Sequence, residues 1–413
     1  MEAPRRKPRL IVFDVEGVLI SKNRFLFDVG KSLGFFQLLK MLLIGFLYEI
    51  GIFPLKPTLK WIFKIMRGVK VETIMCIFDE IPSRPQLESF FAQLKMRNCK
   101  TALISSGLPK IAVEKLASII GADYSFGIEV GVKDNVLTGD IWGEVIESNG
   151  KFKVLSRILA VEGLELEDCV AVADDRNNRS IFLPGMLKIG YNPDYVLRVK
   201  ADQVVTGKLS GVLPVIFGKP KKRSLPSRND LIRETIHASG FFIPIIAGFI
   251  GIYPMSLIIC VVSILYFLSE LSRMNRKNMP IISAITRNAA SPTERYEFAA
   301  APLYFAMGIF LTLLLFPAPV SGAAIAIFTL GDSTASLFGG LISKKPLPFN
   351  KGKTVEGSLT GFFFAFMAGI FFVSPALALI GAAVAMAIES LPLPVNDNIL
   401  IPLGTGLTLL LFV

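Results

Sequence analysis

The distribution of apolar residues along the chain is the feature that most constrains its fold. From about Gly240 to Val413, long apolar runs are interrupted only by short polar loops, whereas the first 230 residues mix charged and apolar residues as soluble α/β proteins do. The overall hydrophobic content of 52% therefore averages two regimes, and 413 residues exceed what one ordinary core holds. We expect a soluble domain followed by an all-α domain that crosses a membrane.

A basic, proline-punctuated segment separates the two regimes. It contains the run Lys219-Pro220-Lys221-Lys222-Arg223. We predict a first domain over residues 1–216, a linker over 217–232 and a membrane domain over 233–413. Next to an apolar segment, such a linker is typical of contact with an anionic membrane surface on the cytoplasmic side, and the alternative is an ordinary solvated charge run.

Composition excludes several classes of function. Because His237 is the only histidine, Ser-His-Asp and Cys-His catalysis lack a base in the first domain, and multi-histidine metal sites cannot form. The four cysteines are too scattered for a disulfide framework or a zinc site. The net charge of +11 lies largely beside apolar segments, which favours lipid and nucleotide phosphates over nucleic acid as partners. The charged start of the chain lacks a secretory signal pattern, so the first domain is expected in the cytoplasm.

Acidic and hydroxyl side chains follow the predicted strands of the first domain. The apolar run Leu10–Phe13 leads into Asp14 and Glu16, a second run leads into Ser105, and a third leads into Asp174 and its neighbour. Because the carboxyl ends of parallel strands meet at one edge of a sheet, we expect these side chains to lie close together.

Together with one lysine, these groups form a predicted phosphate site. Asp14 is the expected nucleophile, Asp174 is expected to hold Mg²⁺ beside it, and Ser105 and Lys151 are expected to contact the phosphoryl oxygens. Each residue alone is ordinary at the end of a strand or the start of a helix. Their occurrence together in this order favours catalysis.

Residues 10 to about 215 resemble the haloacid dehalogenase superfamily, and within it the phosphoserine phosphatases. Besides the acids above, the resemblance is carried by Ala122-Asp123-Tyr124, Leu137-Thr138-Gly139-Asp140, Asn149-Gly150-Lys151 and Val170-Ala171-Val172-Ala173-Asp174. It implies a doubly wound α/β fold with a helical cap at about residues 20–90. It also implies an aspartyl-phosphate intermediate on Asp14, and Mg²⁺ held by Asp14, Asp174 and a backbone carbonyl.

Two positions depart from the pattern of that family. Glu16 stands where the family has the aspartate that protonates the leaving oxygen, and Asn178 stands where a second acid follows Asp174. The extra methylene of Glu16 shifts its carboxyl by about 1 Å, and a misplacement of that size can lower the rate roughly a hundredfold. We therefore expect either a slow phosphatase or a domain retained for regulation.

The predicted cap contains an unusually apolar segment over residues 33–47. One interpretation is a buried cap helix, and the other is a helix that contacts lipid. Lipid contact would make a lipid monophosphate, in place of phosphoserine, the expected substrate.

Six or seven membrane helices are predicted in the second half. Their approximate ranges are 238–253, 254–270, 298–316, 319–342, 356–373, 375–391 and 398–413, and the first two share a run broken at Tyr253-Pro254. The loops after the second and fourth predicted helices are basic, while the opposite connections are uncharged. The positive-inside rule therefore predicts that the basic loops lie in the cytoplasm.

The ionisable groups of the second half converge on that cytoplasmic boundary, where a nucleotide could meet a lipid acceptor. The candidate residues are His237, Glu270, Arg273, Asp332, Lys344, Lys345, Lys353, Thr354, Glu356, Glu389 and Asp397. Carboxylates at the ends of apolar helices are incompletely solvated, so they are expected to pair with cations or to bind a metal.

This half resembles the polyprenol kinase family, which includes dolichol kinase and phytol kinase. The resemblance is carried by Arg233-Glu234-Thr235-Ile236-His237, Glu270-Leu271-Ser272-Arg273, Gly331-Asp332-Ser333-Thr334-Ala335-Ser336, Lys353-Thr354-Val355-Glu356-Gly357-Ser358, Glu389 and Asp397-Asn398. It implies transfer of the γ-phosphoryl group of CTP to the hydroxyl of a membrane lipid alcohol. A P-loop fold is excluded because the lysine loop lacks the Walker A spacing.

In that reaction, Asp332 and Glu356 are expected to act as Mg²⁺ ligands or as the base. Lys344, Lys345 and Lys353, with Thr354, are expected to bind the nucleotide phosphates. The alternatives are a lipid cytidylyltransferase, which makes a CDP-lipid and pyrophosphate, and a membrane scaffold or transporter. The sequence leaves the lipid alcohol, CTP against ATP and the oligomeric state open.

Overall fold

The computed structural model describes residues 7–22, 24–49, 53–83, 86–218, 226–274, 298–342, 345–393 and 395–412 of the chain. The chain divides into two compact units, Met1–Lys221 and Lys222–Val413.

A seven-stranded sheet forms the centre of the first unit. The strands are β1 (Leu10–Phe13), β2 (Lys100–Pro109), β3 (Tyr124–Lys133), β4 (Val136–Trp142), β5 (Cys169–Ala173), β6 (Leu187–Tyr191) and β7 (Gln203–Val205). Their spatial order is β4-β3-β2-β1-β5-β6-β7, and all neighbours are parallel except the β3–β4 pair. The first strand in the chain is thus the middle strand of the sheet.

Nine helices of the described first unit accompany this sheet. They are α1 (Arg24–Ser32), α2 (Phe35–Glu49), α3 (Leu55–Ile65), α4 (Val71–Asp79), α5 (Leu87–Lys95), α6 (Lys110–Ile120), α7 (Gly150–Glu162), α8 (Tyr195–Lys200) and α9 (Val212–Ile216). Short 3₁₀ turns lie at Glu144–Ile146, Leu166–Asp168, Arg176–Ile181 and Leu209–Gly211. Helices α1 to α4 form the cap between β1 and β2, while α5 packs against α6 and β2.

Side-chain character explains why β1 and β5 are central. Every residue of both strands is apolar and buried, as expected for strands covered on both faces by helices. The predicted doubly wound α/β unit with a helical cap, followed by a helical region, is confirmed at this level.

The second strand differs from its prediction. The apolar run in the sequence stops before Ser105, but β2 continues to Pro109 and α6 begins at Lys110. Its pairing with β3 shifts register after Ile104. Side chains take over hydrogen bonds there: the Ser105 hydroxyl oxygen accepts from the Leu108 N–H at 3.0 Å, and the Ser106 hydroxyl donates to the Val145 carbonyl at 2.9 Å.

The second unit is helical throughout its described residues. Its helices are α10 (Arg228–Ser239), α11 (Phe242–Ile250), α12 (Ile252–Met274), α13 (Ala301–Leu315), α14 (Ala318–Ile342), α15 (Val355–Gly369), α16 (Pro375–Ser390) and α17 (Asp397–Leu410). Helix α14 is central, because it contacts α10, α11, α13, α15, α16 and α17.

Two helices among the described residues, Ile252–Met274 and Ala318–Leu341, are long and apolar enough to cross a membrane. The other apolar helices of this unit that reach ten residues have 14 to 16 residues, or about 21 to 24 Å, which is shorter than a typical hydrocarbon core. The count of six or seven spans stays a prediction.

The break between the first two predicted spans is at Gly251, not at Tyr253-Pro254. Gly251 has a φ of +96°, which ends α11, and α12 then begins at Ile252. Pro254 lies in the first turn of α12, where the missing N–H of proline removes no helical hydrogen bond.

Small residues allow α14 and α15 to approach closely. A Cβ added at Gly357 would lie 2.7 Å from the Ala335 carbonyl oxygen, and one added at Gly361 would lie 2.8 Å from the Gly331 carbonyl oxygen. Backbone-to-backbone packing of this kind is typical of helices that associate in an apolar environment.

Candidate active site

Polar side chains of the first unit gather at the carboxyl edge of the three central strands. Asp14 follows β1, Ser105 lies in β2 and Asp174 follows β5. Phe13 pairs with Leu103 on one side and with Val172 on the other, so the strands end at nearly the same level. The Asp14 N–H donates to the Val172 carbonyl at 3.0 Å, which ties the start of the loop to β5.

Asp14 is buried, and both of its carboxylate oxygens accept hydrogen bonds. Oδ1 accepts from its neighbour, the Val15 N–H, at 2.9 Å and lies 3.0 Å from Lys151 Nζ. Oδ2 accepts from the side-chain amide of Asn178, whose own oxygen accepts from Lys151 at 2.6 Å. These donors hold the Asp14 carboxylate in one direction at the end of β1.

The start of α7 positions Lys151. Asn149 adopts a φ of +55° immediately before the helix, and Gly150 begins it. A Cβ at Gly150 would lie 1.6 Å from the Glu144 carbonyl oxygen, so only glycine fits this approach. The close packing directs the next side chain, Lys151, into the buried site.

Three carboxylates form the one group of close metal ligands found among the described residues: Asp14, Asp174 and Asp175, with ligand atoms within 4.8 Å of one another. Lys22, in the loop after β1, lies 3.0 Å from Asp174 Oδ2 and 3.1 Å from Asp175 Oδ2. Within the described part of the chain, Asp174 Oδ1 is buried and accepts no hydrogen bond.

Burial and charge displace the pKa values of this group in opposite directions. Burial raises the pKa of Asp174 well above its usual value, although Lys22 opposes the shift, while Asp175 and Asp14 add to it. Burial also disfavours ionised Asp175, but Lys22 and Lys151 outweigh it and lower the pKa of Asp175. Burial and the neighbouring acids make the ionised form of Asp174 unfavourable. A cation bound beside Asp174 would offset this cost and favour the ionised form.

Gly17 contacts the same carboxylate. Its φ is +81°, and a Cβ added there would lie 2.1 Å from Asp174 Oδ2. Any side chain at this position meets both backbone strain and the Asp174 carboxylate.

Glu16 lies against Gly107 at the end of β2. A Cβ added at Gly107 would lie 1.7 Å from Glu16 Oε2, so the glycine provides the space for this carboxyl group. Burial, followed by repulsion from Asp14 and Asp175, raises the pKa of Glu16 to about 7. Near neutral pH such a carboxyl group can both donate and accept a proton.

The cap closes onto the core through the end of α2. The Tyr48 hydroxyl donates to the side chain of Asn177, and the Arg176 guanidinium donates to the Tyr48 carbonyl at 3.1 Å. The guanidinium carbon also lies 5.4 Å from the centre of the Tyr48 ring. Arg176 and Asn177 belong to the turn after Asp175, so the cap touches the same loop that carries the acids.

Comparison with known proteins bears on this unit. A family model for haloacid dehalogenase-like hydrolases matches residues 11–177. The phosphoserine phosphatase of Methanocaldococcus jannaschii is 31% identical over 197 residues, which span 48% of this chain and 92% of that protein. The chain belongs to the haloacid dehalogenase-like hydrolases.

Two further matches cover the same region. The phosphoserine phosphatase of Archaeoglobus fulgidus is 29% identical over 198 residues, spanning 48% of this chain and 56% of that protein. A solved structure described as a phospho-aspartyl intermediate analogue of phosphoserine phosphatase is 29% identical, covers 51% of this chain and 99% of that chain, and gives a TM-score of 0.47.

The first unit is thus a haloacid dehalogenase-type phosphatase domain with an acidic cluster suited to Mg²⁺. The family match ends at residue 177, so the kinase resemblance of the second unit stays a prediction.

Lys353 is the centre of a polar cluster in the second unit. Its Nζ lies 2.6 Å from Glu389 Oε1 and 3.9 Å from both Asp332 Oδ1 and Asp397 Oδ2. Burial disfavours the charged lysine, but the carboxylates, Glu389 foremost, outweigh it and raise the pKa of Lys353. His237 joins through Asp332, whose Oδ2 lies 3.8 Å from His237 Nε2.

The sequence context of Asp332 suggested a helix end, but the residue lies well inside α14. The helix continues to Ile342 because the neighbouring hydroxyls are satisfied within it. The Ser333 hydroxyl donates to the Thr329 carbonyl, and the Thr334 hydroxyl donates to the Leu330 carbonyl at 2.6 Å.

The remaining predicted residues of the second unit have other surroundings. Thr354 is the N-cap of α15, where its hydroxyl oxygen accepts from the Gly357 N–H, and Glu356 lies in the first turn of the same helix. Lys345 is exposed, and Lys344 lies outside the described residues.

Glu270 and Arg273 form a buried pair of their own. Arg273 Nε donates to Glu270 Oε2 at 2.8 Å, and Glu270 Oε1 accepts from the Ala299 N–H at 2.7 Å. These contacts join the end of α12 to the residues before α13.

Sequence reasoning assigned no role to three residues of the first-unit site: Asp175, Lys22 and Tyr48. Asp175 follows Asp174 directly, so its position at the same strand end was a usable signal. Lys22 lies in the loop that carries Asp14 and Glu16, which marks it as near the site. Nothing local marks Tyr48, because its partners lie far along the chain.

Proposed function

We propose that the first unit hydrolyses phosphate monoesters with Asp14 as the nucleophile. The observation that supports this most is the surroundings of Asp14: a buried carboxyl group held by Lys151 and Asn178, beside the two acids that follow β5. A carboxylate oxygen held in one direction in this way is positioned to attack phosphorus.

The chemistry proceeds in two steps on this chain's own residues. An oxygen of Asp14 forms a bond to phosphorus while the ester P–O bond breaks, and Glu16 gives its proton to the departing oxygen. Glu16 then takes a proton from water, which attacks the phosphorus and releases inorganic phosphate with Asp14 regenerated. Lys151 neutralises charge on the phosphoryl oxygens throughout.

The residues present fit a magnesium ion. The three carboxylates offer hard oxygen ligands, and the buried Asp174 Oδ1 accepts no hydrogen bond in the described chain, so this oxygen can bind a cation. Asp14, Asp174 and Asp175 would hold the ion, which when bound supplies positive charge that favours attack on the phosphoryl group. Lys22 supplies part of the same counter-charge through Asp174 and Asp175.

Glu16 and Asn178 bear on how fast the domain works. Asn178 keeps a hydrogen bond to Asp14 yet adds no charge at the acidic cluster, and Asp175 contributes a carboxylate one residue after Asp174 instead. We propose an active but slow phosphatase, with regulation of the second unit as the alternative role.

The test uses the purified full chain in detergent with p-nitrophenyl phosphate and Mg²⁺. Asp14→Asn is expected to abolish turnover, because the nucleophile is removed while its hydrogen-bonding shape is kept. Asp79→Asn, at a surface ion pair with Lys115, serves as the matched control and is expected to retain activity. Equal activity of the two variants would reject Asp14 as the nucleophile.

We propose for the second unit a CTP-dependent kinase of a membrane lipid alcohol. It rests on the cluster around Lys353, which gathers three carboxylates from α14, α16 and α17 in an otherwise apolar helical unit. Mg²⁺ could replace the lysine as partner of the carboxylates and leave Lys353 for a nucleotide phosphate. We further propose that this unit is an integral membrane domain with the first unit in the cytoplasm.

Labelled CTP distinguishes the proposals for this unit. The protein is incubated in detergent with γ-labelled CTP, Mg²⁺ and a panel of polyprenols, dolichols, diacylglycerol and phosphatidic acid, the last as the acceptor that a cytidylyltransferase needs. Label in the lipid phase supports the kinase, while labelled pyrophosphate without lipid label supports the cytidylyltransferase. Asp332→Asn is expected to abolish transfer and the surface variant Asp230→Asn to retain it, and no turnover in the unmodified chain would favour a scaffold or transporter.

A further inference from the structure

Helix α2 of the cap presents an apolar face that nothing covers in the described part of the chain. Phe35 is 72% exposed, Phe36 77%, Leu39 54% and Leu43 57%, and Leu42 is exposed beside them. Isolated exposed apolar side chains are common on proteins, but five on one helix of 15 residues are not.

The spacing of these residues places them on one side of the helix. Positions 35, 36, 39, 42 and 43 fall within an arc of about 120° at 100° per residue. The opposite side is already used for packing, since Met41 is buried and a Cβ at Gly30 of α1 would lie 3.1 Å from both Leu38 Cδ1 and Met41 Sδ. The five exposed residues are therefore not part of the face through which α2 packs in the cap.

The positive charge of the cap segment indicates what kind of surface this arc contacts. Residues 24 to 70, which include α1, α2 and α3, carry eight lysines and arginines against two acids. Exposed Lys40 lies within α2, and Lys60, Lys64 and Arg67 are exposed in and after α3. An exposed apolar arc on a segment with this excess of positive charge matches the surface of a bilayer that contains anionic lipids.

The same helix leads to the catalytic loop. Tyr48, near the end of α2, contacts Asn177 and Arg176, and Asn178 then donates to the nucleophile Asp14. A bilayer that holds α2 therefore holds the edge of the active site close to the lipid headgroups.

We propose that α2 docks on an anionic bilayer through Phe35, Phe36, Leu39, Leu42 and Leu43, and that the phosphatase acts on the phosphate monoester of a membrane lipid. This rests on the proposed phosphatase function and names its substrate class. The apolar face of α2 contacts the bilayer, and Asp14 and Lys151 contact the phosphate group of the lipid.

The first experiment compares two substrates with the full chain reconstituted in vesicles of phosphatidylcholine and phosphatidylglycerol. The substrates are p-nitrophenyl phosphate in solution and phosphatidic acid in the bilayer. The triple variant Phe35→Ser, Phe36→Ser, Leu39→Ser is expected to lose about tenfold in hydrolysis of phosphatidic acid and to keep hydrolysis of the soluble ester. Met96→Ser, at an equally exposed apolar residue after α5, is expected to change neither rate.

The outcomes separate this inference from the function on which it rests. Hydrolysis of the soluble ester alone, or equal loss on both substrates in the triple variant, overturns the lipid substrate and leaves the phosphatase standing. Hydrolysis of neither substrate by the unmodified chain overturns the phosphatase and the substrate assignment together.

A second experiment tests docking without catalysis. Phe36→Trp is introduced in a chain carrying Trp61→Phe and Trp142→Phe, and its fluorescence is measured in vesicles containing brominated lipid. Strong quenching is expected, and weak quenching for Met96→Trp in the same background. Equal quenching of the two, or an apolar face covered instead by a second copy of the chain, overturns docking on the bilayer.

Discussion

Replacement of Gly17 by alanine tests whether the position of Asp174 controls catalysis. The added methyl group would lie 2.1 Å from Asp174 Oδ2, whereas ordinary contact begins near 3.4 Å. The carboxylate must therefore move by about 1.3 Å, and a misplacement of about 1 Å can lower a rate roughly a hundredfold. The backbone adds a second cost, since alanine at a φ of +81° is destabilised by about 1 kcal/mol.

Gly121→Ala separates these two effects. Gly121 has a φ of +71°, and a Cβ added there meets nothing within 4 Å, so this variant carries the backbone strain alone. Both variants are expected to lose about 1 kcal/mol in urea unfolding.

Only Gly17→Ala is expected to lose about a hundredfold in turnover of p-nitrophenyl phosphate and to need more Mg²⁺ for half-maximal activity. If the two variants have the same turnover and the same Mg²⁺ dependence, Asp174 does not need its observed position and the reasoning is wrong.

Three further predictions concern the charged groups. Chelation of divalent metal with EDTA is expected to abolish phosphatase turnover, and excess Mg²⁺ to restore it fully; turnover unaffected by EDTA would exclude the metal site. Asn178→Asp removes a hydrogen-bond donor from Asp14 and adds a negative charge beside it. In urea unfolding, this variant is expected to lose about 1 to 3 kcal/mol of stability in EDTA and to regain it in Mg²⁺, and a loss independent of Mg²⁺ would contradict this. Lys353→Met leaves buried Glu389 without its cation and is expected to cost about 3 kcal/mol in thermal unfolding in detergent, whereas Lys345→Met at an exposed position is expected to cost little.

The local pattern of apolar residues was sufficient to predict two of the strands that carry the site. The strands ending at Phe13 and Ala173 were read correctly because each is a short, entirely apolar run followed by acids. The end of β2 was missed because Ser105 and Ser106 replace ladder hydrogen bonds with side-chain ones, which a hydropathy pattern does not register.

Contacts between distant segments could not be read from the sequence. The approach of Tyr48 to Asn177 depends on how the cap folds back, and no local preference encodes it. The sequence pattern places Asp332 at the cytoplasmic boundary because charge usually marks the end of an apolar run, but the residue lies within α14, where the neighbouring hydroxyls bond to carbonyls of the same helix. The strand-end position of Asp14 was enough to propose it as the nucleophile, whereas the pairing of Lys22 with two acids is visible only in the folded structure.

The central position of β1 sets the order in which the active site can be completed during synthesis. Asp14 is synthesised before both strands that flank β1, which begin at Lys100 and Cys169. Its charged and amide partners, Lys151 and Asn178, also come late. A nascent or interrupted chain that stops before Asn178 therefore carries the proposed nucleophile without the side chains that hold it, so phosphatase activity is expected only once synthesis has passed Asn178.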